Sequence, residues 1–99
     1  MAFLSCGNGT SGGTSKVKTI ATGNYKTYST QPEDIIVVGY YGTRWVNFSG
    51  SYTTLMSAYH DIDGTFKCGT YVVKATGTSV TVGNAGASYF CQSAQYRYQ

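Results

Sequence analysis

The chain has 99 residues, of which 11% are charged and 41% hydrophobic, with a formal net charge of +3; that is one domain with a shallow core, poorly suited to a deep catalytic cleft. Its charged share is less than half the usual ~25%, and the seven bases are scattered with no Lys/Arg run, which argues against a nucleic-acid surface. No stretch approaches the ~18 apolar residues of a membrane span, and "MAFLSCGNG" lacks the basic and apolar regions of a secretory leader, so the expectation is a soluble product made in the cytosol.

Fourteen Thr, ten Ser, thirteen Gly and ten Tyr fill 47 of the 99 positions, whereas Glu occurs once and Leu only at 4 and 55. Thr and Tyr suit strands, Gly and Ser suit turns, and long helix formers are nearly missing, so the composition is all-β. A surface so poor in charge also fits a chain that works inside an assembly or outside a cell.

In chain order, residues 5–15 ("SCGNGTSGGTS") hold four glycines and nothing apolar larger than cysteine, which reads as a flexible arm. The apolar "MAFL" ahead of it is suited to docking on a partner, giving an arm over 1–15 and a domain over 16–99. "KVKTIAT" (16–22) alternates and stops at Gly23-Asn24, and "YKTYST" (25–30) follows as its hairpin partner. "QPED" turns the chain into "IIVVGYY", whose unbroken apolar run suits a strand covered on both faces, and "GTRWVNFSG" continues it. The β-branched and aromatic content of "SYTTLMSAYHD" (51–61) favours strand over a short helix.

The turn "DIDG" (61–64) pairs "SAYHD" with "TFKC" as a hairpin. "TYVVKA", "TSVTVG" and "ASYFCQSAQYRYQ" follow, broken by "TGT" and "GNAGA". Seven or eight short strands at this spacing predict a single-domain antiparallel β-sandwich, jelly-roll-like, behind the arm.

Catalytic constellations are scarce. His60 is the single histidine; Asp61 adjoins it and Cys68 faces it across the turn, an arrangement better explained as an ordinary cross-strand pair than as a nucleophile and its base. Cys6, His60, Cys68 and Cys91 add up to a Cys3His set but lack the close pairs from which zinc sites are built. "DIDGT" has part of a calcium loop without its third Asp or distant Glu, and "GNGTSGG" lacks the Lys of a phosphate loop. Glu33 and Asp34 beside Pro32 read as a solvated start to a strand, and the thiols at 68 and 91 as buried and reduced. "NGT" at Asn8 and "NFS" at Asn47 fit the glycosylation pattern as chance matches. No enzyme, metal or cofactor is expected.

Tyr40, Tyr41, Arg44 and Trp45 form the strongest candidate ligand cluster, since Tyr, Trp and Arg dominate interfaces and stack on sugars. Strand neighbours point to opposite faces, so Tyr40 and Tyr41 cannot both look outward. The preferred reading makes this stretch the spine of the fold, Trp45 included, with Tyr41 or Arg44 at its rim. In the tail, Phe90, Ala94, Tyr96 and Tyr98 share one parity and Tyr89, Cys91, Ser93 and Arg97 the other. A terminal edge strand ending Tyr-Arg-Tyr would need a neighbour to cover it, which marks Tyr96 and Tyr98, with Phe3 and Leu4 of the arm, as assembly contacts.

"QPEDIIVVGYYG" followed by "GTYVVKATGTSVTVGNAGASYFCQSAQYRY" resembles the small β-sandwich domains of bacteriophage virions, particularly those ending tail or head fibres, over about residues 31–48 and 69–98. The resemblance implies a non-enzymatic structural subunit of the virion, docked on capsid or tail, trimeric by preference, in contact with other virion proteins and with the host surface. It carries over no catalytic residue, and the ending "YRYQ" departs from its pattern. The alternative, from a different class, is a carbohydrate-binding module using Trp45 and surface tyrosines; a third reading is an enzyme built on Cys6 or Cys68, which would need a thiol of depressed pKa.

Overall fold

Thr- and Tyr-rich segments between glycines become six antiparallel strands: β1 (Val17–Gly23), β2 (Lys26–Ser29), β3 (Ile35–Gly42), β4 (Val46–Asp61), β5 (Lys67–Asn84) and β6 (Ser88–Tyr98). The computed structural model describes residues 16–84 and 88–99, and these contain no helix. All six strands belong to one sheet of order β1-β6-β3-β5-β2, with β4 along the opposite flank of β5.

The length of β5 dictates the shape. Eighteen residues would run about 59 Å if straight, yet the longest extent of the molecule is 45 Å. Gly42 lies opposite Lys67, and Val46 lies opposite Asn84. Residues 43–45 therefore connect opposite ends of β5 while spanning no more than about 15 Å, so β5 and its partner β4 must curl back on themselves. The result is a half-barrel.

The bend falls where the ladder breaks. Gly50 pairs with Val80 and Tyr52 with Ala75, so β5 spends several residues where β4 spends one. Gly50 takes φ +101°, and a Cβ there would run into the Ser79 carbonyl oxygen. On the other flank the turn "QPED" fills the bend: Thr30 N donates to Thr78 O at 2.9 Å and Glu33 N to Ala75 O at 2.8 Å. Glu33 sits at φ 81° after Pro32, as the third residue of a type II turn does, although glycine is the usual occupant.

Inside the curl lies the core: Tyr28, Ile36, Val38, Tyr40, Val46, Val73, Ala75, Val80, Val82 and Cys91. Period-two alternation supplies it, since buried and half-buried positions alternate from Ile35 to Tyr40 in β3. Two polar locks hold the curl closed. Tyr28 Oη meets Ser93 Oγ at 2.6 Å, and Gln95 Nε2 donates to Ser29 O at 2.8 Å, joining β2 to β6 across the interior. Ser93 directs its proton to the Asn24 carbonyl at 2.7 Å, which leaves Tyr28 as the donor between the two hydroxyls.

Several expectations are corrected. The strands are fewer and longer than the turn signals suggested, because "TYVVKATGTSVTVG" runs through its glycine as one bent strand and "NFSGSY" does the same in β4. The strands form one curled sheet rather than two separate layers among the described residues. β6 lies between β1 and β3 and is no edge. "QPED" does turn the chain into a strand covered on one face and half-covered on the other, and Tyr96 and Ala94 are buried on that second face. The arm over 1–15, with Phe3 and Leu4, lies outside the described residues.

Candidate functional site

Sequence reasoning treated Asp34 as solvated, and it is not. Only 1% of it is exposed. Its carboxylate accepts from Arg97 Nε at 2.8 Å, Arg97 Nη2 at 2.9 Å, Gln95 Nε2 at 2.8 Å and Gln31 N at 2.9 Å. Burial alone would raise its pKa, but the hydrogen bonds from Arg97, the Gln31 amide and Gln95 outweigh that and hold it below the ordinary carboxylate range. The fork of Arg97 meeting both oxygens is a positioning device that ties β6 to the turn before β3. With every oxygen occupied, it offers nothing to a substrate.

Asp61 and Asp63 behave similarly at the tip of the β4–β5 hairpin. Asp61 Oδ1 accepts from Gly64 N at 2.7 Å, and Asp63 Oδ1 accepts from Thr65 N at 3.0 Å and Phe66 N at 2.9 Å. The two amide bonds keep the Asp63 carboxyl below its usual range. The "DIDG" turn expected from sequence is thus formed, and its acids serve backbone amides.

His60 and Cys68 face each other across this hairpin, as its symmetry suggested. His60 is exposed and Cys68 half-buried. Cys91 lies in the core, where burial pushes its thiol up, away from the nucleophilic range.

The structure divides the aromatic cluster named from sequence. Tyr40 is buried and stacks on Tyr71 at 5.9 Å, and burial first, with Tyr71 second, raises its phenol. Trp45 falls outside the strands, because β3 ends at Gly42 and β4 starts at Val46. Val46 and Phe48 point inward and Trp45 stays 37% exposed, which corrects its placement in the spine. Its ring is nonetheless engaged: Tyr59 meets it edge-on at 5.2 Å and Lys67 Nζ lies 5.4 Å from its centre. Arg44 is exposed at the rim, as expected. Tyr41 faces outward, 46% exposed, stacked with Phe90 at 5.7 Å and 22°. Tyr96, expected as an assembly contact, is buried within the fold, and Tyr98 stands free of the core at the end of β6.

Two surface features stand out, neither singled out from sequence. The first is β4, sixteen residues long, which pairs only with β5 among the described residues. From Thr53 to Asp61 every residue is exposed, so both faces meet solvent along with the free edge. Leu55, Met56, Tyr59 and Ile62 are each about half exposed or more. Residues 46–60 include no Lys, Arg, Asp, Glu or Pro. The pattern "TTLMSAY" holds this signal, but the edge position that gives it meaning depends on the sheet order.

The second feature is an open hollow of about 530 Å³ on the outward face, walled by Tyr41, His60, Thr70 and Phe90 and floored by Gly39. A smaller hollow of about 220 Å³ adjoins it, sharing Gly39, Thr70 and Phe90 and adding Gln92 and Ala94. The register explains the convergence: Gly39 pairs with Thr70 on one side and Gln92 on the other, and Tyr41 pairs with Cys68 and Phe90.

No protein-family model matches the chain, and searches of curated proteins and of solved structures find no match either.

Proposed function

We propose that the chain is a non-enzymatic structural subunit of a bacteriophage virion that joins copies of itself along the free edge of β4. The observation that carries the reading is the state of that edge. Exposed edges in monomeric proteins are short, charged, proline-bearing, bulged or covered; residues 46–60 carry no charge and no proline, and the irregularities at Gly50–Tyr52 and Thr54–Met56 leave Ser57 to Asp61 as an unbroken exposed stretch.

The area is in proportion. Leu55, Met56, Tyr59 and Ile62 present on the order of 400 Å² of apolar surface. The backbone and the Thr and Ser side chains of residues 51–60 bring this toward the ~800 Å² per partner of a stable interface. A second copy is the occupant that needs no further chemistry, because β1 at the far end of the sheet leaves an edge of its own among the described residues. Pairing β4 with β1 of the next copy is head-to-tail and gives a ring such as a trimer when the rotation between copies closes; β4 against β4 would give a twofold dimer.

The virion assignment rests on the resemblance over residues 31–48 and 69–98, and on the low charge that suits packed assemblies. The two-layer sandwich such domains adopt would be completed between copies, with a neighbour covering what one half-barrel leaves open. Glycan binding through Trp45 is not favoured, since Tyr59 and Lys67 occupy that ring.

Sedimentation velocity on the full chain, beside the double variant Thr53→Lys/Leu55→Lys, tests this reading. The expected result is a multiple of the 10.6 kDa chain mass, three by preference, falling to one in the variant with unchanged circular dichroism. A wild-type chain that stays monomeric at high micromolar concentration would overturn it.

A further inference from the structure

We infer that the outward hollow over Gly39 is a binding site for a neutral sugar. Its platform is the pair Tyr41 and Phe90, contributed by adjacent strands, 46% and 45% exposed, with ring planes only 22° apart. Rings stacked in this way turn their faces toward each other and offer the hollow a row of apolar edges, against which the C–H groups of a pyranose can pack.

Beside the platform, Gly39 is the one outward position of β3 without a side chain, between Val37 and Tyr41. A Cβ placed there would meet nothing within 4 Å, so the hollow is open space and not a packing gap. The strands flanking Gly39 supply Thr70 and Gln92, both exposed, and β4 adds His60. Hydroxyl, carboxamide and imidazole groups thus stand round the Gly39 floor beside an aromatic wall, able to donate to and accept from sugar hydroxyls.

Charge decides between ligand classes. None of the lining residues of either hollow is Lys, Arg, Asp or Glu. A nucleic-acid strand stacks on aromatics too, but needs a basic groove to follow its phosphates, and an acidic sugar needs a cation. A ligand with an apolar face, hydroxyl edges and no charge satisfies all the walls. The volume falls in the range of small-ligand sites, roughly 300–1,000 Å³. The inference rests on the virion reading only for why a cell-surface sugar would be met; the chemistry of the hollow stands without it.

The test is titration of the ¹⁵N-labelled full chain with maltotriose, mannotriose and chitotriose, and with sialyllactose as the anionic comparison, each to about 10 mM. The expected result is saturable shifts of the Gly39, Thr70 and Gln92 amides with at least one neutral sugar. Gly39→Val, which fills the floor, and Phe90→Ala, which removes half the platform, should each weaken binding at least about 10-fold. Trp45→Ala should leave it unchanged. Unmoved Tyr28, Val80 and Val82 amides report that a variant is folded; if Gly39→Val is not, Phe90→Ala decides. The inference is overturned if no neutral sugar moves these amides, if only sialyllactose does, or if both hollow variants bind like wild type. Sedimentation of Gly39→Val separates the two proposals, because its oligomeric mass should be that of wild type whichever way the titration falls.

Discussion

Replacing Asp34 with Asn removes a charge from the most enclosed polar site in the described fold. The carboxylate is 1% exposed and accepts four hydrogen bonds, two of them from Arg97. Breaking a buried ion pair by removing one member costs about 3–5 kcal/mol. The Arg97 side chain keeps 27% of its surface and can turn to water, which places the expected loss at the low end, about 3 kcal/mol. For a domain of this size that is a fall in Tm of roughly 12–24 °C. Urea unfolding at pH 7, followed through the single tryptophan, measures it.

The same substitution should flatten the acid limb of the stability profile. The folded-state pKa of Asp34 lies below its ordinary value, so its stabilisation is complete above the unfolded value of about 3.9 and is lost as pH falls toward the folded one. The gap between wild type and Asp34→Asn should therefore hold steady from neutral pH to about 5 and narrow below about 4. A loss under about 1 kcal/mol, the size expected of an exposed pair, would show that the Asp34–Arg97 pair is not held in a buried setting. So would a gap that stays constant to the lowest pH at which both proteins fold.

Gly50→Ala should cost at least about 2 kcal/mol in the same urea assay, since the left-handed backbone alone costs 1–2 kcal/mol for an L-residue and the new Cβ meets the Ser79 carbonyl. Gly64→Ala, also at positive φ but in open space, should cost only about 1 kcal/mol; equal losses would show that the bend does not depend on the close approach at Gly50. In a Cys6→Ser background, iodoacetamide should label Cys68, which lines the hollow, well before Cys91, which is buried with a raised thiol pKa. Equal rates would mean that the curl opens readily.

The all-β, antiparallel character and part of the local pattern were legible; the two-layer sandwich was not what formed. Alternation in "IIVVGYY" and "FCQSAQYRY" assigns the two faces of the sheet correctly: Ile36, Val38, Tyr40, Cys91 and Ser93 share the inner one, and Tyr41, Phe90, Ala94 and Tyr96 the other, where Ala94 and Tyr96 are buried all the same. The "DIDG" hairpin and the His60–Cys68 pairing follow from turn chemistry and counting. The curl was not legible, because Gly50 and Gly77 look like turn residues; they act instead as close-approach points where long strands bend without ending.

Asp34 was misread for a related reason. An acid beside a proline turn is usually solvated, and only the register that lays β6 beside β3 brings Arg97 and Gln95 onto it. Trp45 was misplaced because a large apolar ring was expected in the core, whereas parity with inward Val46 and Phe48 turns it outward, in the crossing from one end of β5 to the other. The hollow needed three strands in register before Gly39, Thr70, Phe90 and Gln92 could be seen as neighbours.

Amide hydrogen exchange over residues 51–60, on the full chain at high and low concentration, tests most directly whether β4 is an edge built to be covered. The alternate amides not bound by β5 should be protected at high concentration, and this protection should disappear on dilution and in Thr53→Lys/Leu55→Lys. Unprotected exchange at those amides at every concentration would contradict that role for β4.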